Sequence, residues 1–348
     1  MRITQVVITR EREVSLQHLD LNSENLAENE LLIETERSFI SAGTELANYT
    51  ATDPAVHRRG SWCSYPWKPG YANVGMVLEA GAAHRNLIGR RVYTHGAHAS
   101  THRYATNART KLIAPVPDGL SSDEAVATRM AMVAMAGLDA SKPQYIRWVV
   151  VIGLGMVGNL AAQLFRLTGA QVIGVDPSER RRQMARECGI DHVVFGTEEE
   201  IAEQIRSLTG NRGADVTVDA VGHSSVALQA VRLAADGGEV IVLGTPRTKV
   251  SGDLTEIFAT AHLRWVTIKG VLEWNIPTEG LLPQDYSQRK KLDALFRWIG
   301  EGRLNLKPML THRLLPEEIK AAYEGLLHKK EEYVGVILKW KDHCMKNQ

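Results

Sequence analysis

The run Val149-Val150-Val151-Ile152-Gly153-Leu154-Gly155-Met156-Val157-Gly158 sets an apolar, β-branched stretch directly before a Gly-x-Gly-x-x-Gly pattern. Gly153 permits a tight turn, Gly155 lets the backbone approach a pyrophosphate, and Gly158 lets a following helix pack on the strand. Met156 and Val157 then sit at a helix N-terminus, whose free N–H groups and partial positive charge suit phosphates. Asp176 ends the next candidate strand. A carboxylate there can accept from both hydroxyls of an adenosine ribose and repels a 2′-phosphate, which favours NAD over NADP. Arg180, Arg181 and Arg182 pull the other way, and Arg181 is retained as a candidate cofactor contact, although a solvated basic helix face is the ordinary reading. Val221 and Gly244, beyond two later candidate strands, complete the expected cofactor-contacting set, and Arg247 follows Gly244 closely.

A second concentration of chemistry is Thr94-His95-Gly96-Ala97-His98-Ala99-Ser100-Thr101-His102. On a helix, His95, His98 and His102 would come together as three imidazoles, a plausible metal shell. This stretch reads instead as strand and loop. Histidines that hydrogen-bond a substrate are the favoured reading, and their titration range suits proton transfer. Trp62, Tyr65, Trp67 and Tyr71 form an aromatic-rich run, and Trp274 follows the last of the regular strands. Three scattered cysteines, Cys63, Cys188 and Cys344, exclude a disulfide scaffold and a four-cysteine zinc cage, and fit a reducing, cytoplasmic setting.

The elements that must position these residues divide the chain in two. With 348 residues, 44% hydrophobic and 23% charged, it has room for two cores. Lys+Arg 41 against Asp+Glu 40 gives no global reason to expect nucleic acid or an anionic membrane. Trp148 to Phe165 carries no charge, but its glycines and β-branched start read as strand, turn and helix rather than a membrane span. The N-terminus, with charges spread through it, is not read as a signal peptide. The first 118 residues read as short strands and turns: Val6–Thr9, Leu31–Thr35, Val74–Glu79 and Arg91–Thr94. A helix then opens at Ser121, with capping-box spacing to Glu124.

From Trp148 strands and helices alternate. The strands are Trp148–Ile152, Gln171–Val175, His192–Phe195, Asp215–Asp219, Glu239–Leu243 and Trp265–Lys269. The helices are Met156–Leu167, Ser178–Cys188, Glu198–Leu208, Ser224–Ala234 and Leu254–His262. Six such strands predict an α/β fold with a doubly wound parallel sheet of Rossmann type. Helices and the strand Val334–Trp340 follow, and this tail is expected to return to the first domain.

Several further segments accompany the glycine motif: Glu30-Leu31-Leu32-Ile33, Ser41-Ala42-Gly43-Thr44-Glu45, Pro69-Gly70-Tyr71-Ala72-Asn73-Val74-Gly75, Ile88-Gly89-Arg90-Arg91-Val92, Pro117-Asp118-Gly119-Leu120 and Met309-Leu310-Thr311-His312-Arg313 with Glu318 to Tyr323. With them the chain resembles the medium-chain dehydrogenase/reductases, which include zinc alcohol and polyol dehydrogenases and zinc-free quinone reductases. The resemblance implies a GroES-like β-rich catalytic domain (1–128 and 295–348) around a Rossmann domain (129–294), with a cleft where nicotinamide meets substrate. It also implies a homodimer or homotetramer, with Trp265–Val271 as the candidate edge. The metal-ligand positions of zinc members match Ala42, Gly70-Tyr71-Ala72 and a place near Arg129, a set that cannot build a zinc shell. No metal is therefore expected, neither catalytic nor structural zinc.

By the same resemblance Thr44 matches a residue that relays the hydroxyl proton, and Tyr71 stands where a metal-bound histidine would be. Without a metal a side chain must serve as base, and Thr44, Tyr71, His95 and His98 are the candidates, with His102 beside them. Trp67 and Trp274 are expected at the substrate, where aromatic faces suit the C–H faces of sugar or cyclitol rings, although packing or a subunit contact would equally explain them. The expected function is zinc-independent, NAD-dependent interconversion of a secondary alcohol and a ketone on a polar, polyhydroxylated substrate. The alternatives are a zinc-free quinone or enoyl reductase using NAD(P)H and a dinucleotide-binding protein without turnover.

Overall fold

The computed structural model describes residues 1–107, 110–141, 147–280 and 286–341. Cys344 lies outside them. The chain divides into two compact units: Met1–Arg129 with Ile276–Gly300 and Leu310–Gln348, and Met130–Asn275 with Glu301–Met309.

The first unit is β-rich. Its strands are β1 (Arg2–Arg10), β2 (Glu13–Asp20), β3 (Glu30–Phe39), β4 (Asn73–Ala80), β5 (Arg91–Thr94), β6 (Thr101–Ala105) and β7 (Ile113–Pro115). One short helix, α1 (Ala42–Tyr49), interrupts them, and α2 (Ser122–Ala140) begins in this unit. The hairpin β1–β2 stands apart from a seven-stranded sheet centred on β3 and β4. β3 is ten residues long and almost wholly buried, because its Leu31, Leu32 and Ile33 lie in an apolar centre. Leu31 and Ile33 pack with Val77, Val92, Tyr104 and Ile113. A second apolar centre joins Val6 and Ile8 to Tyr49, Ile319, Tyr323 and Val336. The helix α1 had no strong apolar periodicity to announce it. Its Glu45, Ala47, Asn48 and Tyr49 are buried, and tertiary contacts rather than an amphipathic stripe define it.

The second unit runs β8 (Trp148–Ile152), α3 (Met156–Leu167), β9 (Gln171–Val175), α4 (Glu179–Glu187), β10 (His192–Val194), α5 (Glu198–Thr209), β11 (Ala214–Asp219), α6 (Ser224–Leu233), β12 (Ala234–Val242), α7 (Leu254–Leu263) and β13 (Thr267–Gly270). The sheet order is β10-β9-β8-β11-β12-β13, and every pairing is parallel. β8 is buried along its whole length, as a central strand covered on both faces must be. The uncharged run Trp148 to Phe165 is therefore strand, turn and helix. Among the described residues no helix is long and apolar enough to cross a membrane. Two strands of this unit differ from the sequence reading by more than one residue. β12 begins at Ala234, directly where α6 stops, and β13 is displaced toward Gly270.

The tail comprises α8 (Gln288–Gly300), β14 (His312–Leu314), α9 (Ile319–His328) and β15 (Val336–Lys339). β15 pairs antiparallel with β3 and parallel with β14, so the tail returns to the β-rich unit. The crossing into the tail comes at Asn275/Ile276, earlier than position 294. The reason is packing: α8 buries Leu292, Leu295 and Phe296, and the Phe296 ring meets Tyr93 of β5 edge-on at 6.2 Å.

Candidate active site

In the second unit the glycine loop links β8 to α3. Gly153 has φ +92°, and its N–H donates to the Val175 carbonyl at 2.8 Å. A Cβ on Gly158 would lie 1.8 Å from the Gly153 carbonyl oxygen, so the turn closes only with glycine there. Gly155 precedes α3, and a Cβ on it would meet nothing within 4 Å. The loop thus offers an open N-terminus at Gly155, Met156 and Val157, the shape and polarity a pyrophosphate needs. The residues fit a dinucleotide.

Asp176 stands at the end of β9 and is buried. Its Oδ2 accepts from the Leu154 N–H at 2.8 Å, and its Oδ1 from the Ser178 N–H at 2.9 Å. The carboxylate therefore braces the glycine loop, and each oxygen retains accepting capacity for a ribose hydroxyl. Arg181 pairs with it, Nη1 to Oδ2, at 3.6 Å. The arginine run is not a uniformly solvated face. Arg182 is buried, lies 3.9 Å over the Phe195 ring and donates to the carbonyls of Asp176 and Pro177. Asp219 ends β11, with Oδ1 accepting from Val221 N–H at 2.9 Å and Gly222 N–H at 3.0 Å. Burial raises its pKa. Val221 is exposed beyond it, and the Gly244 N–H donates to the Asp219 carbonyl. Val221 and Gly244 thus flank the same strand end. Trp274 lies half-buried in the short helical turn Glu273–Asn275.

The β-rich unit gathers a polar cluster. Glu45, in the first turn of α1, reaches back so that its Oε1 accepts from the Ser41 N–H at 2.7 Å. Ser41 makes no side-chain cap, and its hydroxyl accepts from the Tyr71 phenol. Tyr71 Oη also lies 3.4 Å from Thr44 Oγ1. Thr44 and Tyr71, both expected from sequence, are thereby brought together, and Ser41 joins them. Burial raises the Tyr71 pKa, while the Arg129 charge and the two hydroxyls oppose that rise.

Behind this cluster Glu45 Oε2 accepts from Tyr323 Oη at 2.7 Å and contacts His98 Nε2 at 3.0 Å. His98 Nδ1 lies 2.8 Å from Ser38 Oγ, which accepts from Trp340 Nε1 at 2.9 Å. If Nε2–H donates to the carboxylate, Nδ1 carries the lone pair and accepts a hydrogen bond from the Ser38 hydroxyl. His98 is wholly buried with both nitrogens engaged. It anchors α1 through Glu45 rather than meeting a substrate. His95 is buried too, and its Nδ1 donates to the Thr110 carbonyl at 2.9 Å, which leaves the lone pair on Nε2. Burial and then Arg129 hold its pKa well below the usual value. His102 lies in β6, its pKa pushed down to about 3 by burial and by Lys111. The three histidines thus have separate partners.

The sequence by itself assigns no role to Glu45 or Tyr323. Their contact spans 278 positions, and no local signal pairs them. Trp67 packs in apolar clusters, edge-on to Trp62 at 5.7 Å.

A zinc ion does not fit the positions matched to metal ligands. Ala42 and Ala72 offer no donor, and the Arg129 guanidinium is itself a cation beside Tyr71. Among the described residues no three His, Cys, Asp or Glu side chains form a group able to hold a metal.

A parallel six-stranded Rossmann sheet with a β-rich partner unit is the fold of the medium-chain alcohol dehydrogenases. Residues 156–286 match the zinc-binding dehydrogenase family. D-guloside 3-dehydrogenase of Shigella flexneri is 30% identical over 230 residues, 61% of this chain and 65% of that protein. L-threonine 3-dehydrogenase of Bacillus licheniformis is 29% identical over 194 residues, 55% of this chain and 50% of that protein. The chain thus spans between half and two thirds of these curated relatives. An Escherichia coli oxidoreductase/dehydrogenase of unknown specificity superimposes with a TM-score of 0.80 at 19% identity, over 97% of this chain and 99% of that one.

Proposed function

We propose that the protein is a zinc-independent, NAD(H)-dependent oxidoreductase that interconverts a secondary alcohol and a ketone on a polar, polyhydroxylated substrate. The observation that carries this reading is the Tyr71–Ser41–Thr44 hydroxyl cluster, a set of hydroxyls in mutual contact that can move a proton. The names of the relatives, a guloside and a threonine 3-dehydrogenase, support oxidation of a secondary hydroxyl on a polar molecule. A nicotinamide dinucleotide, when bound, supplies the hydride acceptor or donor. Everything else falls to side chains of this chain. Alcohol oxidation releases one hydride and one proton. Tyr71 first releases its own phenolic proton to solvent; as the phenolate it then takes the substrate hydroxyl proton, directly or through Ser41 or Thr44, and returns it in the reverse direction. Asp176 favours NAD, because a 2′-phosphate would sit against its carboxylate.

Tyr71→Phe removes the proton acceptor while keeping the ring. Its kcat on a keto-sugar or polyol, followed with NADH and with NADPH, is expected to fall about 10²–10⁴-fold, with binding of the dinucleotide unchanged. Full activity in Tyr71→Phe would sink the proton-transfer role, and a preference for NADPH would sink the assignment of Asp176.

The same proposal includes a homo-oligomer built on the sheet edge. Among the described residues β13 pairs only with β12, and beside it Trp265 is 83% exposed, with Ile268, Leu263 and Phe258 also exposed. An open, apolar edge of this kind is stabilised by a symmetric copy. Light scattering is expected to give a dimer or tetramer; a monomer at micromolar concentration would refute it.

A further inference from the structure

Arg129 is one of the largest wholly buried side chains, at 0% exposure. It lies on α2 with its guanidinium carbon 5.0 Å from the centre of the Tyr71 ring. A buried guanidinium stays protonated, so it places a permanent positive charge beside the phenol and its two hydroxyl partners. The charged groups facing Tyr71 are Arg129 from α2 and Glu45 from α1, while those facing His95 are Arg129 and Lys111. Both potential bases therefore feel the same cation, and its effect on them is opposite in consequence. It favours an anion at Tyr71 and disfavours a second cation at His95.

We infer that Arg129 is a built-in counter-charge for the phenolate of Tyr71, a positioning residue that selects Tyr71 over His95 as the carrier of the reaction's proton. This rests on the reading of the Tyr71 cluster as the proton-handling site. Three observations support it together. The guanidinium is fixed by burial rather than swinging in solvent. It sits against the ring, while Ser41 and Thr44 hold the hydroxyl end. Tyr323, a wholly buried tyrosine of the same unit, faces the Glu45 carboxylate and gives the opposite case. Burial alone raises both phenols, and the neighbouring charge separates them. Glu45 pushes Tyr323 further up, whereas Arg129 draws Tyr71 back down. A charge that cannot dissociate also differs from a bound ion: chelators would not strip it, and it needs no loading.

The test is titration of the tyrosines by carbon NMR of ring-labelled protein, with Tyr71→Phe and Tyr323→Phe used only to assign the two signals. In the unmutated protein Tyr71 is expected to ionise at lower pH than Tyr323. In Arg129→Met its midpoint is expected to rise by about 1–3 pH units, the usual effect of removing an opposite charge at this range. Arg129→Lys, which keeps the charge, is expected to restore most of the difference. A Tyr71 midpoint that is the same in Arg129→Met and the unmutated protein overturns the inference. So does a Tyr71 signal that moves together with Tyr323 in the unmutated protein, a measurement that stands even if the methionine variant does not fold. Neither titration uses cofactor or substrate. Failure of the oxidoreductase reading shows instead as absent turnover, with the tyrosine order intact.

Discussion

The two units of this chain build their sites from different materials. The parallel α/β unit makes its pocket from backbone: a glycine with φ +92°, a helix N-terminus and N–H groups, braced by Asp176. The β-rich unit makes its cluster from side chains: Glu45, His98, Tyr323, Tyr71 and Arg129, most of them buried and several ionisable. A backbone site tolerates change in most side chains but none in the spacing of its glycines. A buried polar network has the reverse sensitivity, because each member removed leaves a partner without its hydrogen bond. The first unit to fail under mutation therefore depends on which kind of atom is touched.

The sharpest break should come at Gly158. Gly158→Val forces a Cβ onto the Gly153 carbonyl, which is backbone and cannot step aside. Dinucleotide affinity measured by calorimetry is expected to fall at least about a hundredfold, the loss of the phosphate cradle. Retained binding would mean that the loop is not the pyrophosphate site. Next comes Glu45→Gln, which keeps the shape but removes the charge that three donors share. Urea unfolding is expected to show a loss of about 1–3 kcal/mol, confined to the β-rich unit. An equal loss in the nucleotide unit would erase the contrast between them.

The smallest effect is on pH dependence. The folded state holds His102 near a pKa of about 3 against 6.5 for an unburied imidazole, and His95 is lowered as well. Below the ordinary value the unfolded chain binds protons that the folded chain refuses. Stability from these groups is thus complete above about pH 6.5 and is lost as the pH falls toward 3. Between about pH 7.5 and about pH 5.5 His102 should cost about 1 kcal/mol. His102→Asn should flatten the slope measured by urea titration; an unchanged slope would show that His102 accepts a proton in the fold.

How legible each unit was follows from the same distinction. The glycine pattern, the strand before it and Asp176 are close in sequence, and period-two and helical patterns carry them. Strands Trp148–Ile152 and Gln171–Val175 were readable to the residue. The helix α1 was not, because its eight residues include neither a strong apolar stripe nor a side-chain cap at Ser41. Within the arginine run Arg182 departs from a solvated helix face, because its burial depends on the Phe195 ring and two carbonyls rather than on helix periodicity. The histidine run looked like one functional unit, yet its members face Thr110, Glu45 and Thr94. Alternation along an irregular loop does not fix where a side chain points.

By itself the amino-acid sequence determined the order of strands and helices in the nucleotide unit, the turn at Gly153 and the poor match of Ala42, Tyr71 and Ala72 to a metal shell. These follow from local sterics and donor chemistry. Only the tertiary structure decided that Arg129 lies on Tyr71, that Glu45 joins His98 to Tyr323, and that Ser41 turns its hydroxyl to the phenol. Those contacts cross long stretches of chain, and electrostatics depends on distance through space, which spacing along a sequence does not supply.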